Sequence, residues 1–167
     1  MERIARFERV SRGRLEADWR DTFREDAPEE LPPLPRRATA GSAGYDFFLP
    51  LAVTLRPGES IKVPTGVRVW MAEGWVLQLF PRSGLGFKFR LQLNNTVGII
   101  DSDYYASDNE GHIFVKLTND SREGKTLSLE KGDAFAQGIF LPFGITEDDE
   151  VAAVRNGGFG STDKREA

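Results

Sequence analysis

From Ala38 onward the chain is built of short alternating apolar runs cut by glycine and proline, and few folds accept such a pattern. Val67, Val69 and Met71 alternate with Arg68 and Trp70. Trp75, Leu77 and Leu79 alternate with Val76, Gln78 and Phe80, and Ile113, Val115 and Leu117 alternate with His112, Phe114 and Lys116. Period two is the repeat of a strand, and apolar residues on both faces predict strands buried between sheets. Pro57-Gly58, Glu73-Gly74 and Lys131-Gly132 supply the turns. Many short strands with such turns predict an all-β sandwich, jelly roll or barrel.

The first 37 residues read differently. Ile4 to Val10 alternates loosely and predicts a first strand. Leu15, Trp19 and Phe23 then fall at i, i+4 and i+8 among charged residues, one face of an amphipathic helix. That helix must end before Pro28, and Glu29 to Pro35 predicts an extended proline-rich connector. At the other end, Glu147 to Glu150 reads as a solvated acidic linker into a Gly-rich tail, Asn156 to Lys164. The expected division is therefore 1–37 as an N-terminal extension, 38–146 as the β domain, and 147–167 as linker and tail.

With 167 residues, 40% hydrophobic and 29% charged, the chain suits one soluble domain with a proper core. No apolar run approaches 18 residues and no signal-peptide pattern opens the chain, which reads as cytoplasmic and without membrane contact. The absence of cysteine excludes disulfides and thiolate metal sites. A net charge of −4 argues against broad binding to nucleic-acid backbone, though a small anion remains open where basic residues converge.

Chemistry concentrates where the β-like run Val97 to Ile100 ends abruptly in Asp101-Ser102-Asp103-Tyr104-Tyr105. A carboxylate at a strand end sits on a rigid element and faces a pocket, as a general base requires. Alone, the same residues suit a hairpin turn. Two other signals lead nowhere: Gly124-Lys125-Thr126 lacks the full Walker spacing, and Gly158-Phe159-Gly160 lacks the third glycine of a dinucleotide fingerprint. The single histidine, His112, reads as a structural or exposed residue in a strand beside Gly111.

Four more small, polar, Gly-rich stations accompany Asp101. They are Ala40 to Asp46, Pro81 to Gly86, Gly132 to Gln137, and Arg155 to Thr162. In this order and spacing the five stations resemble the five motifs of the trimeric dUTP pyrophosphatase (dUTPase) family, over roughly residues 38 to 162. The resemblance implies a distorted jelly-roll β-barrel and hydrolysis of dUTP to dUMP and pyrophosphate. It further implies a homotrimer with three shared sites, and Mg2+ as the cofactor.

Residue by residue, the resemblance implies Asp101 as the general base aiming a water in line at the α-phosphorus. Asn95 and the strand from Gly98 through Ile100 match the uracil-binding hairpin. An extended backbone plus one carboxamide complements the acceptor–donor–acceptor edge of uracil and leaves cytosine with unpaired polar groups. Tyr104 matches the tyrosine that stacks on deoxyribose and leaves no room for a 2′-hydroxyl. Arg82, Ser83 and Gly84 match the phosphate-binding second motif, where a helix start offers free N–H groups and arginine binds phosphate bidentately. Gln137 interrupts an apolar run, and the family supplies a phosphate as its partner. Asp46 matches the first-motif acid that orders water around a metal-bound triphosphate. Arg155 reaches phosphate, and Phe159, with Gly160 and Ser161, covers the nucleotide as the tail closes.

Three departures accompany the match. Tyr105 to Gly111 lengthens the hairpin after Tyr104, one residue fewer separates Arg155 from the glycine pair, and Asp163 stands where glycine is usual. Two other readings stay open. A dCTP deaminase shares the fold, but Asp101-Ser102-Asp103-Tyr104 is not the Asp-Pro-Gly-Trp that branch usually carries. A regulatory module using dUTP as a switch ligand would employ the amphipathic prefix and lengthened hairpin toward an unknown protein partner.

Overall fold

In the computed structural model, which describes residues 1–153 and 155, the strand-rich pattern folds as a set of antiparallel ladders around one core. The elements are β1 (Ala5–Arg9), α1 (Arg12–Phe23), β2 (Arg36–Arg37), β3 (Tyr45–Phe48), β4 (Val53–Leu55), β5 (Ser60–Pro64), β6 (Val67–Met71) and β7 (Trp75–Pro81). They continue with α2 (Ser83–Phe89), β8 (Leu91–Leu93), β9 (Gly98–Ile100), a 3-10 turn (Ser102–Ala106), β10 (Phe114–Asn119), β11 (Leu127–Leu129) and β12 (Ala134–Pro142). The largest sheet runs β2-β3-β12-β7-β9. A second runs β5-β10-β8, and β1-β6 and β11-β4 form two-stranded ladders. This is the all-β, jelly-roll-like architecture expected, preceded by the expected strand and helix.

The core follows the alternation. Leu77 and Leu79 of β7, Val67, Val69 and Met71 of β6, and Val115 and Leu117 of β10 are buried, with Phe47, Leu49 and Phe135. Each such side chain contributes about 1.5–3 kcal/mol on burial. The opposite faces are covered in part, with Val76 and His112 buried. Trp70 stays 38% exposed beneath the Arg6 guanidinium, 4.6 Å from its ring, and Lys62 lies 4.8 Å over Phe114. Basic side chains lying over an aromatic face cover it while keeping their own charge in water.

Helix α1 forms where the periodicity places it. Ser11 caps it by accepting from the Arg14 N–H, and Arg24 closes it in the left-handed region, donating back to Arg20. Leu15 and Trp19 bury one face in a small separate core with Val10 and Ala27, while Phe23 and Leu31 pack at its edge. Trp19→Ala would remove about 3–5 kcal/mol of packing and undock the helix. The preceding strand is laced to β6, Ala5 opposite Met71 through Arg9 opposite Val67, and Phe7 packs edge-on to Phe47 at 5.6 Å.

One local reading changes and one gains detail. His112 is not in a strand, because β10 begins at Phe114. Its N–H closes a turn onto the Asn109 carbonyl, and its ring is engaged elsewhere. The other concerns the approach to Gly98, where β8 pairs with β10 in one sheet and β9 with β7 in another. The turn at Asn94–Val97, with Thr96 at φ 66°, therefore carries the chain from one sheet to the next.

Candidate active site

Two groups of polar side chains stand out, and β7 separates them. The first lies at its C-terminal end. Asp46 of β3 sits opposite Gln137 of β12, which sits opposite Phe80 of β7. Beyond Phe80 the chain turns at Pro81 into α2. Arg82 there points its Nε to 3.3 Å from Asp46 Oδ1, and Gln137 Nε2 donates to the Pro81 carbonyl at 3.3 Å. Arg82, Ser83 and Gly84 are exposed, and Ser83 and Gly84 begin α2, whose first N–H groups have no intrahelical acceptor. Gly44 lets this corner close: a Cβ there would stand 2.6 Å from Gln137 Oε1. Guanidinium, carboxamide and free N–H groups on one corner form a donor set for a phosphate chain.

The second group follows β9. Leu77 faces Ile100 in the β7–β9 ladder, so Asp101 emerges at the opposite end of β7 from Arg82. From Leu77 to Arg82 is about 17 Å at strand rise. Asp101 stands just before the 3-10 turn that carries Asp103, Tyr104 and Tyr105, its side chain making no capping bond. Arg155 reaches across to it, Nη2 lying 2.5 Å from Asp101 Oδ2 and Nε 2.9 Å from Asp103 Oδ1. Its guanidinium carbon lies 6.0 Å from the Tyr104 ring centre. Asn95 is exposed at the turn before β9, whereas Gly98 and Ile100 are buried.

Tyr104 is set deep. Its hydroxyl donates to the His112 carbonyl at 2.7 Å and accepts from Asn109 Nδ2 at 2.7 Å. Burial pushes its pKa up, so it stays a neutral phenol at ordinary pH. Gly111 packs beneath: at φ 69° it occupies the left-handed region, and a Cβ would meet the Tyr104 carbonyl oxygen at 2.7 Å. The lengthened segment Tyr105 to Gly111 is thus packed and bonded in place.

Sequence reasoning singled out Asp101, Tyr104, Asp46, Arg82, Gln137 and Arg155. Phe159, Gly160 and Ser161, with the rest of the tail from Asn156, lie outside the described residues. Asp103 was missed, while for His112 the structural reading holds and only its partners were not foreseen. Asp103 pairs with Arg155, a contact whose local sign was the doubled acid after β9. His112 is wholly buried, with Nδ1 2.6 Å from Asp18 Oδ2 and Nε2 accepting the Gly66 N–H at 2.8 Å. Its sign was a lone histidine among apolar residues, which a 94-residue separation hid.

No described helix is long and apolar enough to cross a membrane. Comparison with known proteins agrees with the geometry. The family model described as dUTPase matches residues 32–163. The deoxyuridine 5′-triphosphate nucleotidohydrolase of Lactococcus lactis is 43% identical over 132 residues, covering 77% of this chain and 87% of the relative. That of Tolumonas auensis is 41% identical over 138 residues, covering 78% and 87%. The crystal structure of dUTPase from Streptococcus mutans superposes with a TM-score of 0.64 at 39% identity, over 84% of this chain and 98% of that one. The chain therefore belongs to the dUTPase family, as an enzyme of the deoxyuridine 5′-triphosphate nucleotidohydrolase class.

Proposed function

We propose that the protein hydrolyses dUTP to dUMP and pyrophosphate in the cytoplasm, with Asp101 as the general base. The observation that carries this reading is the placement of Asp101 at the end of β9, ion-paired to Arg155 beside Tyr104. Asp101 holds a water in line with the α-phosphorus and accepts its proton as the new P–O bond forms. The bond from the α-phosphorus to the bridging oxygen breaks, and pyrophosphate leaves with that oxygen. Such a step asks the protein mainly for positioning and charge neutralisation. Asn95 and the backbone of Gly98 and Ile100 read uracil, and the Tyr104 ring packs against the sugar.

The phosphate chain belongs to Arg82, Ser83, Gly84 and Gln137, joined by Arg155, while Phe159, Gly160 and Ser161 close over the nucleotide. The two groups leave opposite ends of β7, their backbone anchors about 17 Å apart at strand rise. That separation supports a homotrimer in which the Asp101 group of one subunit meets the Arg82 group of its neighbour. Apolar side chains left in water support it too, since Phe87 on α2 is 93% exposed and Ile99 on β9 is 52% exposed.

No cluster of three or more His, Asp or Glu side chains suited to a metal occurs among the described residues. One half-buried carboxylate, Asp46 beside the phosphate donors, fits Mg2+ carried mostly by phosphate oxygens and water. When bound, the ion neutralises charge on the leaving pyrophosphate. Asp46 would hold one of its waters, and Arg82, released from Asp46, would turn to phosphate.

Pyrophosphate release from a panel of dNTPs and NTPs with Mg2+ tests the reading. Release from dUTP alone is expected. Ammonia release from dCTP would move the protein to the deaminase branch instead.

A further inference from the structure

His112 stands where three parts of the fold meet. Its Nε2 accepts the N–H of Gly66 in the bend between β5 and β6. That bond sets the tautomer: the remaining hydrogen lies on Nδ1 and is donated to Asp18 of α1 at 2.6 Å. Its backbone carbonyl accepts the Tyr104 hydroxyl at 2.7 Å. The other Asp18 oxygen faces Arg14 Nη1 at 3.3 Å. A continuous path thus runs from the N-terminal helix through a buried imidazole to the tyrosine beside Asp101.

The rest of the N-terminal segment grips the same loop. Ser11 donates from its N–H and Oγ to Glu110 at 2.8 and 2.6 Å. Arg14 Nη2 donates to the Asp108 carbonyl at 3.3 Å, and the Tyr105 hydroxyl donates to Glu8 at 2.7 Å. These contacts hold the edges of the loop. The Asp18–His112 pair reaches its interior, where the ring is fully buried.

We infer that Asp18 is a positioning residue for sugar selection, holding Tyr104 at a fixed depth through the His112 ring and carbonyl. This rests on the reading of Tyr104 as the residue that packs against deoxyribose. Rejecting a 2′-hydroxyl depends on a gap of about one atom, and misplacement by about 1 Å from a remote site can cost roughly 10²-fold. Without its carboxylate partner the buried Nδ1–H must find another acceptor. Turning the ring to find one gives up its bond from the Gly66 N–H, loosening the packing around the 109–112 turn whose His112 carbonyl holds the Tyr104 hydroxyl.

The test compares wild type with Asp18→Ala, Asp18→Asn, Tyr104→Ala and Val53→Ala, measuring Tm together with kcat and KM for dUTP and UTP. Val53 is buried in the β4–β11 ladder, which holds none of the site residues, and serves as a stability control. Asp18→Ala is expected to lower the dUTP:UTP preference by about tenfold or more, chiefly through KM, with kcat for dUTP within about threefold. Asp18→Asn keeps an acceptor for Nδ1–H and should retain the preference. Val53→Ala should lower Tm and leave the preference alone.

An unchanged preference in Asp18→Ala, or an equal loss in Val53→Ala, overturns the inference. If Asp18→Ala does not fold, Asp18→Ser replaces it. Its hydroxyl is one atom too short to reach Nδ1, and an unchanged preference there is equally decisive. A Tyr104→Ala variant that still prefers dUTP would instead overturn the sugar reading itself.

Discussion

Arg155 lies on Asp101 as a closed ion pair, 2.5 Å from nitrogen to oxygen, with Asp103 contributing a second carboxylate at 2.9 Å. The residue proposed to bind phosphate therefore neutralises the residue proposed to activate water. A triphosphate offers Arg155 more negative charge than two partly exposed carboxylates do, so on the proposed reading substrate would exchange one partner for the other and free Asp101 for the water.

Asp101→Asn tests the base directly. Asparagine keeps the shape and loses the basic oxygen, and a general base contributes roughly 10²–10⁴-fold. The kcat for dUTP should fall by that factor while calorimetry still detects dUTP binding. Turnover within about threefold of wild type would remove Asp101 from the role.

Arg155→Gln removes both the ion pair and the phosphate contact. A hydrogen bond to a charged group is worth about 1.5–3 kcal/mol, so kcat/KM should drop about 10- to 100-fold with Tm little changed. Cutting the chain after Glu150 should cost at least as much and leave the body folded, because residues 147–150 are exposed and outside the core. Scattering and melting report the body, and pyrophosphate release reports the site.

The separation of the two groups along β7 makes a complementation experiment decisive for the shared site. Asp101→Asn and Arg82→Ala should each be inactive alone. In the proposed trimer, mixed assemblies formed by co-refolding should regain activity, because some sites would then combine an intact Asp101 with an intact Arg82. If each site lay within one chain, mixing would restore nothing.

Gly44→Ala should separate activity from stability. Its Cβ would press on the far end of the Gln137 side chain, which can swing aside. The melting temperature should move by only a few degrees, since surface-like changes stay near 0.5 kcal/mol. The swing takes the carboxamide out of the phosphate corner, so KM for dUTP should rise. An unchanged KM would show that Gln137 does not touch substrate.

Acid should loosen the joint between the N-terminal segment and the site loop first. Burial holds the His112 pKa below its ordinary 6.5, against the pull of Asp18 and Glu110 and with the help of Arg14. The unfolded chain thus binds a proton more readily, and stability is lost as pH falls below about 6.5. Bonds from Ser11 hold Glu110 below 4.5, and those from Tyr105 and Arg6 hold Glu8 below it. Their contributions are present above about 4.5 and fade beneath it, in the same direction. Hydrogen-exchange protection of residues 102–112, corrected for the intrinsic rate at each pH, should fall between pH 7 and 5 before that of the Leu77–Leu79 amides, and simultaneous loss would count against a local joint.

By itself the sequence determined what short-range physics can encode. Alternation at Val67 to Met71 and Trp75 to Phe80 wrote the strands, and Leu15-Trp19-Phe23 wrote the helix. Asp101 was legible as a candidate because its local position, the first residue past a strand, is where the structure has it. Tertiary structure alone decided which strands pair. That pairing puts Asp46, Gln137 and Arg82 on one corner and Asp101 at the far end of β7. It also brought Asp18 to His112 and made the lone histidine the support of Tyr104. Those contacts join residues up to 94 positions apart and arise only when ladders and core close together, so no local period announces them.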